Sequence, residues 1–216
     1  MRLYLSSYRF GAAADMLLGL VGAGARIAVV SNALDLIPEE SRRAYARNVH
    51  DPLAALRDLG FAPFELDLRG YFGRPGALEQ ALEGVSMVWA VGGNAFLLRR
   101  AMAQSGLDAL LLKRLAEDSL AYGGWSAGAC VAGSTLRGID LMDEPEAVTE
   151  AYDPAPIYDG LGLVDFVIVP HFDSDHPEAA SVSAAWLAKQ GIAHRTLRDG
   201  EALLLREGRL ELVGEA

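Results

Sequence analysis

The sequence predicts an α/β fold with a mostly parallel central sheet, helices on both faces and a β-hairpin at the sheet edge. Short apolar segments rich in β-branched residues alternate with longer amphipathic segments, which is the order expected of right-handed β–α–β units. The last part of the chain departs from this order. Residues 201–205 and 209–213 flank the turn Arg206-Glu-Gly208, a pattern typical of an antiparallel hairpin.

Strands buried on both faces are predicted where short stretches of the chain are almost entirely apolar. After a first strand within residues 1–7, these stretches are residues 26–31, 64–67, 87–91, 120–122 and 166–169. Amphipathic helices are predicted between them, over residues 38–59, 77–82, 95–103, 107–118 and 178–190. Pro38 favours the start of the first helix, and Gly60 and Gly191 favour the ends of the first and the last.

The composition indicates one globular domain over residues 1–216. Of these residues 51% are hydrophobic and 22% are charged, which is ordinary for a compact protein with a sizeable core. The chain shows no internal repeat, low-complexity tract or linker. Residues 143–159, rich in acids and proline, are predicted to form a long loop, and long loops in compact folds often belong to a site.

Charge and cysteine content argue against several classes of function. A net charge of −10 leaves no basic surface for phosphates, so no nucleic-acid partner is expected. No apolar segment approaches the length of a membrane span, and the apolar part of residues 1–7 is too short for a signal peptide. Cys130 is the only cysteine, which excludes an internal disulfide and favours a reducing cytoplasm. Both a monomer and a homodimer remain open.

The most informative motif is Tyr122-Gly-Gly-Trp-Ser-Ala-Gly-Ala-Cys130, which places Ser126 in a G-x-S-x-G pattern. An apolar strand precedes it and a segment of small residues, 127–133, follows, so the motif predicts a strand that turns sharply into a helix. On such a turn the serine hydroxyl stands at the positive end of the helix, and the N–H of Ala127 points to where an oxyanion would form. Ser126 is therefore the candidate nucleophile.

A second glycine-rich segment, Gly92-Gly-Asn94, follows the predicted strand 87–91 and opens a helix. The carboxyl ends of parallel strands line one crevice, so this loop and the Ser126 turn are expected to face the same space. Two interpretations stay open. Gly92 and Gly93 can offer unobstructed N–H groups to an oxyanion, or the segment is a tight turn in which Asn94 caps the helix.

A serine nucleophile needs a base, and His171 is the best placed of the four histidines. It directly follows the apolar strand 166–169, which puts it at a carboxyl strand end on the side of the crevice. His176 lies in the loop beyond and is expected to be solvated. His50 and His194 are expected to be structural.

The base in turn needs an acid to orient it. Asp199, in the turn Leu197-Arg-Asp-Gly200, and Asp140, after Arg137-Gly-Ile139, are the two candidates. Spacing along the sequence does not decide between them.

Three motifs together resemble the peptidase E (aspartyl dipeptidase) family of serine peptidases, whose relatives include cyanophycinase. They are Gly124-Trp-Ser-Ala-Gly-Ala129 with Val131-Ala-Gly133, then Gly92-Gly-Asn-Ala-Phe96, and Val169-Pro-His-Phe172. They occur in the family's order and with similar spacing. The resemblance implies a fold like that of class I glutamine amidotransferases, with a serine in place of the amidotransferase cysteine, and a short peptide as substrate.

The resemblance also implies roles for individual residues. Ser126 corresponds to the family's nucleophile and His171 to its base. The third, acidic member falls on Asp199, where relatives often have Glu, and a second aspartate of the family's active site falls near Asp140. No cofactor or metal is implied, and no Cys/His cluster in the sequence suggests one.

The chain also departs from the family pattern. Val91 and Ala95 stand where the glycine loop usually has Gly and Thr, and Cys130 stands where the elbow usually continues with Asn. Aspartyl dipeptidases have arginines in the helix after the histidine loop to bind the substrate's aspartyl carboxylate, whereas residues 178–190 contain none. A preference for Asp-X dipeptides is therefore doubtful. Other arginines that a loop could bring into the crevice are Arg137, Arg195 and Arg198.

The sequence thus predicts a Ser–His–acid peptidase in which the N–H groups of Ala127 and Gly93 bind the oxyanion. Three other classes remain as alternatives. An esterase of the α/β-hydrolase type also has G-x-S-x-G, but expects the acid between serine and histidine. A class I amidotransferase needs cysteine at the elbow. A binding module without catalysis would keep the fold while its loops diverge.

Overall fold

The computed structural model describes residues 1–174 and 177–214, and the interpretation of His176 lies outside them. A seven-stranded sheet in the order β3-β2-β4-β5-β1-β8-β9 forms the centre of the molecule. Its first five strands are mutually parallel, and β8 and β9 are antiparallel additions beside β1. The predicted fold class is confirmed, including the hairpin at the edge of the sheet.

The elements follow the predicted alternation of strands and helices. The strands are β1 (Arg2–Ser6), β2 (Arg26–Val30), β3 (Ala62–Glu65), β4 (Met87–Ala90), β5 (Ala121–Trp125), β6 (Val167–Val169), β7 (His194–Thr196), β8 (Ala202–Arg206) and β9 (Arg209–Val213). The α-helices are α1 (Met16–Val21), α2 (Glu39–Asn48), α3 (Pro52–Asp58), α4 (Pro75–Ala81), α5 (Ala95–Ser105), α6 (Leu107–Ala116), α7 (Ala127–Cys130) and α8 (Glu178–Gln190).

Hydrophobic cores cover both faces of the sheet. Successive side chains of a strand point to opposite faces, so Leu3 and Leu5 of β1 pack in one core while Tyr4 packs in the other. Helices α4 to α8 lie over the first core, and α1 and α3 over the second. This two-sided burial explains why the central strands are almost entirely apolar.

The long helix predicted over residues 38–59 is wrong, because the chain forms two helices there. Pro52 has no backbone N–H and disfavours helical geometry in the residue before it. The side chain of Asp51 accepts a hydrogen bond from Leu53 N at 2.8 Å, so it caps the second helix. The first helix, α2, has no buried residue, although it contains Tyr45.

Other boundaries also differ from the prediction. The strand expected over residues 64–67 lies at Ala62–Glu65, and α1 was not predicted. Strand β6 pairs with β7 in a separate two-stranded parallel sheet and is not part of the central one. The helix after the elbow has only four residues. No helix of the described ranges is long and apolar enough to cross a membrane.

Candidate active site

Ser126 stands between the end of β5 and the start of α7, where the backbone has a strained conformation. Its φ of 50° and ψ of −115° lie outside the regions that residues with a Cβ usually occupy. Its N–H donates hydrogen bonds to the carbonyl oxygens of Ser6 and Ser7, both at 3.1 Å. The end of β1 therefore holds the turn in place.

The glycines on either side of Ser126 are required by close packing of the backbone. A Cβ on Gly124 would lie 2.7 Å from the carbonyl oxygen of Ala90, at the end of β4. A Cβ on Gly128 would overlap the same oxygen. The glycine spacing of the motif thus lets the elbow lie directly against β4.

His171 contacts Ser126 from the end of β6. Its Nε2 lies 3.0 Å from Ser126 Oγ, and its backbone N–H donates to Ser7 Oγ at 2.7 Å. His171 also has a positive φ, 60°, which is uncommon for a residue with a side chain. The distance to Ser126 is suited to proton transfer from the hydroxyl to the imidazole.

Asp199 lies on the other side of the imidazole. Its Oδ1 is 2.8 Å from His171 Nδ1 and also accepts a hydrogen bond from Ser7 Oγ at 2.8 Å. With Nδ1 protonated, Nε2 is free to accept a proton from Ser126. Ser126, His171 and Asp199 therefore form one hydrogen-bonded chain.

The structure does not bring Asp140 to His171. Asp140 is exposed and its carboxylate accepts the N–H of Gly138 at 2.7 Å, within its own turn. Asp143, three residues later, lies in the interior instead. It accepts the N–H of Ala95 at 2.7 Å, at the start of α5, and it is close enough to His171 to be influenced by its charge. Burial raises the pKa of the Asp143 carboxyl to about 6.

The glycine loop after β4 faces the nucleophile, as expected from the strand directions. A Cβ on Gly92 would lie 3.1 Å from Ser126 Cβ, and Gly93, with φ of 137°, has no room for a Cβ beside Ala33. Within residues 1–174 and 177–214, the N–H groups of Gly93 and Ala127 have no hydrogen-bond acceptor. They are available for an oxyanion.

Asn94 caps helix α5 in the way that the alternative interpretation described. Its Oδ1 accepts the N–H of Leu97 at 2.8 Å, and its Nδ2 donates to the carbonyl oxygen of Glu144 at 2.9 Å. The capping residue therefore ties the acidic loop to the glycine loop. The features predicted by the two interpretations are therefore both present: Asn94 caps α5, and the N–H of Gly93 has no acceptor among the described residues.

An aromatic cluster lines the side of the site opposite α5. Tyr8 lies edge-on to the ring of His171, with centroids 6.1 Å apart. His50 packs edge-on against Trp125, the residue before the nucleophile, with centroids 5.8 Å apart. Burial and the nearby charge of Arg9 lower the pKa of His50, which favours its neutral form.

Cys130 is a poor rival nucleophile. It is buried in the helix after the elbow, and its Sγ lies 3.5 Å from the carbonyl oxygen of Ile168. Burial raises the pKa of its thiol well above the usual value, so the reactive thiolate is disfavoured.

Sequence reasoning missed Ser7, Asp143 and the pair Tyr8–Arg9. Ser7 had one available signal: it ends a strand, and strand ends line the crevice. Asp143 was noted only as part of the acidic loop. No group of His, Cys, Asp and Glu with metal-binding geometry occurs within the described residues.

A nucleophile elbow on an α/β sheet and a serine–histidine–acid chain of hydrogen bonds, as formed here by Ser126, His171 and Asp199, are features that many serine hydrolases share. The sequence pattern of Peptidase family S51 matches residues 13–213. The chain belongs to this family.

Curated relatives support this membership. Peptidase E of Streptomyces coelicolor is 30% identical over 210 residues, which cover 94% of this chain and 77% of the relative. An uncharacterized peptidase of Listeria innocua is 32% identical over 120 residues, 56% of this chain and 54% of its own length. The chain thus spans about half the length of the Listeria relatives that it matches.

Solved structures show the same fold. A crystal structure of a Listeria monocytogenes protein superposes with a TM-score of 0.79 at 22% identity, covering 100% of this chain and 98% of the other. A peptidase from an acI-B1 actinobacterium gives a TM-score of 0.66 at 16% identity, covering 100% and 88%.

Proposed function

We propose that this chain is a serine peptidase that hydrolyses short peptides. The observation that supports it most directly is the hydrogen-bonded chain from Ser126 through His171 to Asp199. Ser126 Oγ lies 3.0 Å from His171 Nε2, and His171 Nδ1 lies 2.8 Å from Asp199 Oδ1. Membership of Peptidase family S51 gives the same class of reaction. Relatives named Peptidase E and probable alpha-aspartyl dipeptidase suggest that the substrate is a dipeptide or a similarly short peptide.

In the proposed first step, Ser126 Oγ attacks the carbonyl carbon of the scissile bond while His171 Nε2 takes the hydroxyl proton. The tetrahedral oxyanion accepts hydrogen bonds from Gly93 and Ala127, whose N–H groups are preorganised and have no acceptor among the described residues. Asp199 holds the imidazole in the required tautomer and stabilises its positive charge.

In the second half, the imidazolium of His171 gives its proton to the leaving amine, and the C–N bond breaks. The acyl group stays on Ser126 as an ester. Water then attacks the ester carbonyl after giving a proton to His171, and the carboxylic acid leaves as Ser126 Oγ recovers its proton.

We propose that Asp143 supports this reaction from the α5 side. Its carboxylate lies close enough to His171 for the imidazolium charge to oppose the effect of burial on its pKa. When ionised it stabilises that charge, and through Ala95 and the loop to Asn94 it holds the acidic segment against the oxyanion loop.

The proposed substrate is an uncharged or weakly acidic short peptide, not specifically Asp-X. Helix α8 contains no arginine, and Asp143 adds negative charge close to His171. We also propose a cytoplasmic location and leave a monomer and a homodimer as alternatives.

An esterase of the α/β-hydrolase type is less well supported. That class has its acid between serine and histidine in the chain, whereas Asp199 follows His171 here.

A fluorophosphonate probe followed by peptide mapping tests the assignment. We expect one labelled residue, Ser126, and no label in Ser126→Ala. Both Ser126→Ala and His171→Ala should lose peptide hydrolysis, because the two residues act as a unit. Ser134→Ala, a change at an exposed serine beyond the elbow helix, is the matched control and should keep label and activity. Labelling elsewhere, or a loss of only a few-fold in either variant, would contradict the proposal.

A further inference from the structure

A positively charged side chain lies over the ring that packs against His171 and has no role in the mechanism above. Arg9 follows Ser7 and Tyr8 at the end of β1, and its guanidinium lies over the Tyr8 ring, 4.7 Å from the centroid. The Tyr8 ring in turn packs edge-on against His171. Arg9 is therefore two ring contacts away from the imidazole that protonates the leaving group.

The charge of Arg9 is not neutralised by any carboxylate in the described part of the chain. Throughout the described ranges no carboxylate lies within ion-pair distance of it, and its Nε is buried without a hydrogen-bond acceptor. The side chains that it does meet are Tyr8, Tyr45 and His50, and none of these brings a negative charge at neutral pH. A guanidinium in such a setting favours an added anion.

The other candidate arginines either pair with a carboxylate or lie over rings that do not contact His171 among the described residues. Arg198 pairs with Asp173 at 3.1 Å. Arg137 lies over the ring of Tyr158, and Arg195 lies over Phe166, on the side of the small β6–β7 sheet.

The order of the strands places Arg9 on one particular side of Ser126. Strand β5 lies between β4 and β1. The oxyanion loop follows β4, so the carbonyl oxygen of a bound peptide points toward that strand. His171 and Tyr8 lie on the β1 side, and the leaving amine must approach His171 to receive its proton. The residue that carries this amine therefore extends toward Tyr8 and Arg9.

We infer that Arg9 binds the free C-terminal carboxylate of the peptide, on the residue that leaves. The inference rests on the proposed peptidase function and adds the group that recognises the unmodified C-terminus of a dipeptide. In a dipeptide this carboxylate is separated from the leaving nitrogen by one Cα, which is within reach of a guanidinium that stacks on the ring beside His171. Arg9 is in this sense a specificity residue for the leaving side of the substrate.

The physical basis is a charge-assisted pair in a site that is otherwise acidic. The chain has a net charge of −10, so an unpaired guanidinium is the local feature that lets an anionic substrate approach. An amidated C-terminus keeps the peptide's shape but loses the charge. A tripeptide keeps the charge but places it one residue too far from the scissile bond.

Binding to the Ser126→Ala protein, measured by calorimetry with Ala-Leu and Ala-Leu-amide, tests the inference without chemistry. We expect the free acid to bind roughly tenfold to a hundredfold more tightly than the amide. Arg9→Gln in the same background should bring the two affinities together, Arg9→Lys should restore part of the difference, and Arg195→Gln, the matched control, should leave it unchanged.

Hydrolysis by the chain with Ser126 intact provides the second readout. Arg9→Gln should raise KM for Ala-Leu by a similar factor and change the hydrolysis of Ala-Leu-amide little. The acidic side chain of Asp-Leu-amide should not replace the free C-terminal carboxylate as the group that Arg9 binds. The inference would be overturned if the Ser126→Ala protein bound the free acid and the amide equally, or bound neither. It would also be overturned if Arg9→Gln lost hydrolysis of both peptides to the same extent. Selective binding of the acid through Arg9 without hydrolysis of any peptide would instead contradict the proposed peptidase function.

Discussion

Ser7 connects three parts of the candidate site, although it belongs to none of the sequence motifs. Its hydroxyl accepts the N–H of His171 and donates to Asp199, and its carbonyl oxygen accepts the N–H of Ser126. The side chain is fully buried. One residue at the end of β1 therefore sets the relative positions of the proposed nucleophile, base and acid.

At the same scale, the two aspartates named by the sequence should differ in their effect. Asp199→Asn should lower kcat by roughly 10³ to 10⁴, because the amide can favour the wrong tautomer of His171 while keeping the geometry. Asp140→Asn should change kcat little, since its carboxylate caps an exposed turn. Steady-state kinetics on both variants, with folding checked by circular dichroism, would decide; the reverse ranking would transfer the orienting role to Asp140.

At the scale of elements, the acidic loop of residues 143–159 is held down at defined points. Asp143 accepts the N–H of Ala95, the Glu144 carbonyl accepts Asn94, and Arg100 in α5 donates to the carbonyl oxygens of Pro145 and Pro154. The loop thus packs along α5 from its first residue to Gln104, whose Oε1 accepts the N–H of Asp153 at 3.0 Å. It forms a wall of the site beside the glycine loop.

Burial of Asp143 makes the stability of the protein depend on pH. Its pKa is raised from 3.8 to about 6, so between these values the folded chain binds more protons than the unfolded one. Stability should therefore fall as pH rises from about 4 to about 6, by up to about 3 kcal/mol from this group, and stay level above that.

Asp143→Asn should remove this dependence. The side-chain oxygen of asparagine can still accept the N–H of Ala95, and no buried charge forms at high pH. Urea unfolding at several pH values between 4 and 8 would measure the change, with Asp140→Asn as an exposed control. An unchanged slope in Asp143→Asn would show that the carboxyl does not titrate as described.

At the scale of the whole molecule, net charge and the distribution of arginines bear on substrate choice. The chain has a charge of −10, and α8 offers no guanidinium to an acidic side chain. Arg9, whose guanidinium lies over the Tyr8 ring that contacts His171, is the residue inferred above to bind the C-terminal carboxylate. Asp143 adds a negative charge close to His171.

The chain should therefore show weak or no selectivity for an N-terminal aspartate. A carboxylate without a charged partner loses a contact worth roughly 2 to 4 kcal/mol, which corresponds to a loss of preference of roughly thirtyfold to several-hundredfold. A panel of X-Leu dipeptides with Asp, Ala and Met at the first position would measure this. A kcat/KM for Asp-Leu at least a hundredfold above those for Ala-Leu and Met-Leu would show that the pocket recognises the acidic side chain.

Local patterns in the sequence were sufficient for the fold class and for two of the residues in the hydrogen-bonded chain. Alternating apolar and amphipathic segments determine the order of strands and helices, because buried strands and amphipathic helices have different patterns of hydrophobic residues. The glycines around Ser126 and the position of His171 after a buried strand reflect local backbone geometry, which sequence shows directly. The helix predicted over residues 38–59 was wrong because the effect of Pro52 was overlooked.

Tertiary structure alone decided which distant groups meet. Whether Asp199 or Asp140 contacts His171 depends on β8 lying beside β1, a pairing of residues almost two hundred positions apart in the chain. The same holds for Ser7 and for Asp143, whose raised pKa comes from burial by other segments. The position of Arg9 beside Tyr8, on the β1 side of Ser126, also follows from strand order. Spacing along the chain does not show which of these residues are close in space, because the contacts form only when the sheet brings strand ends together.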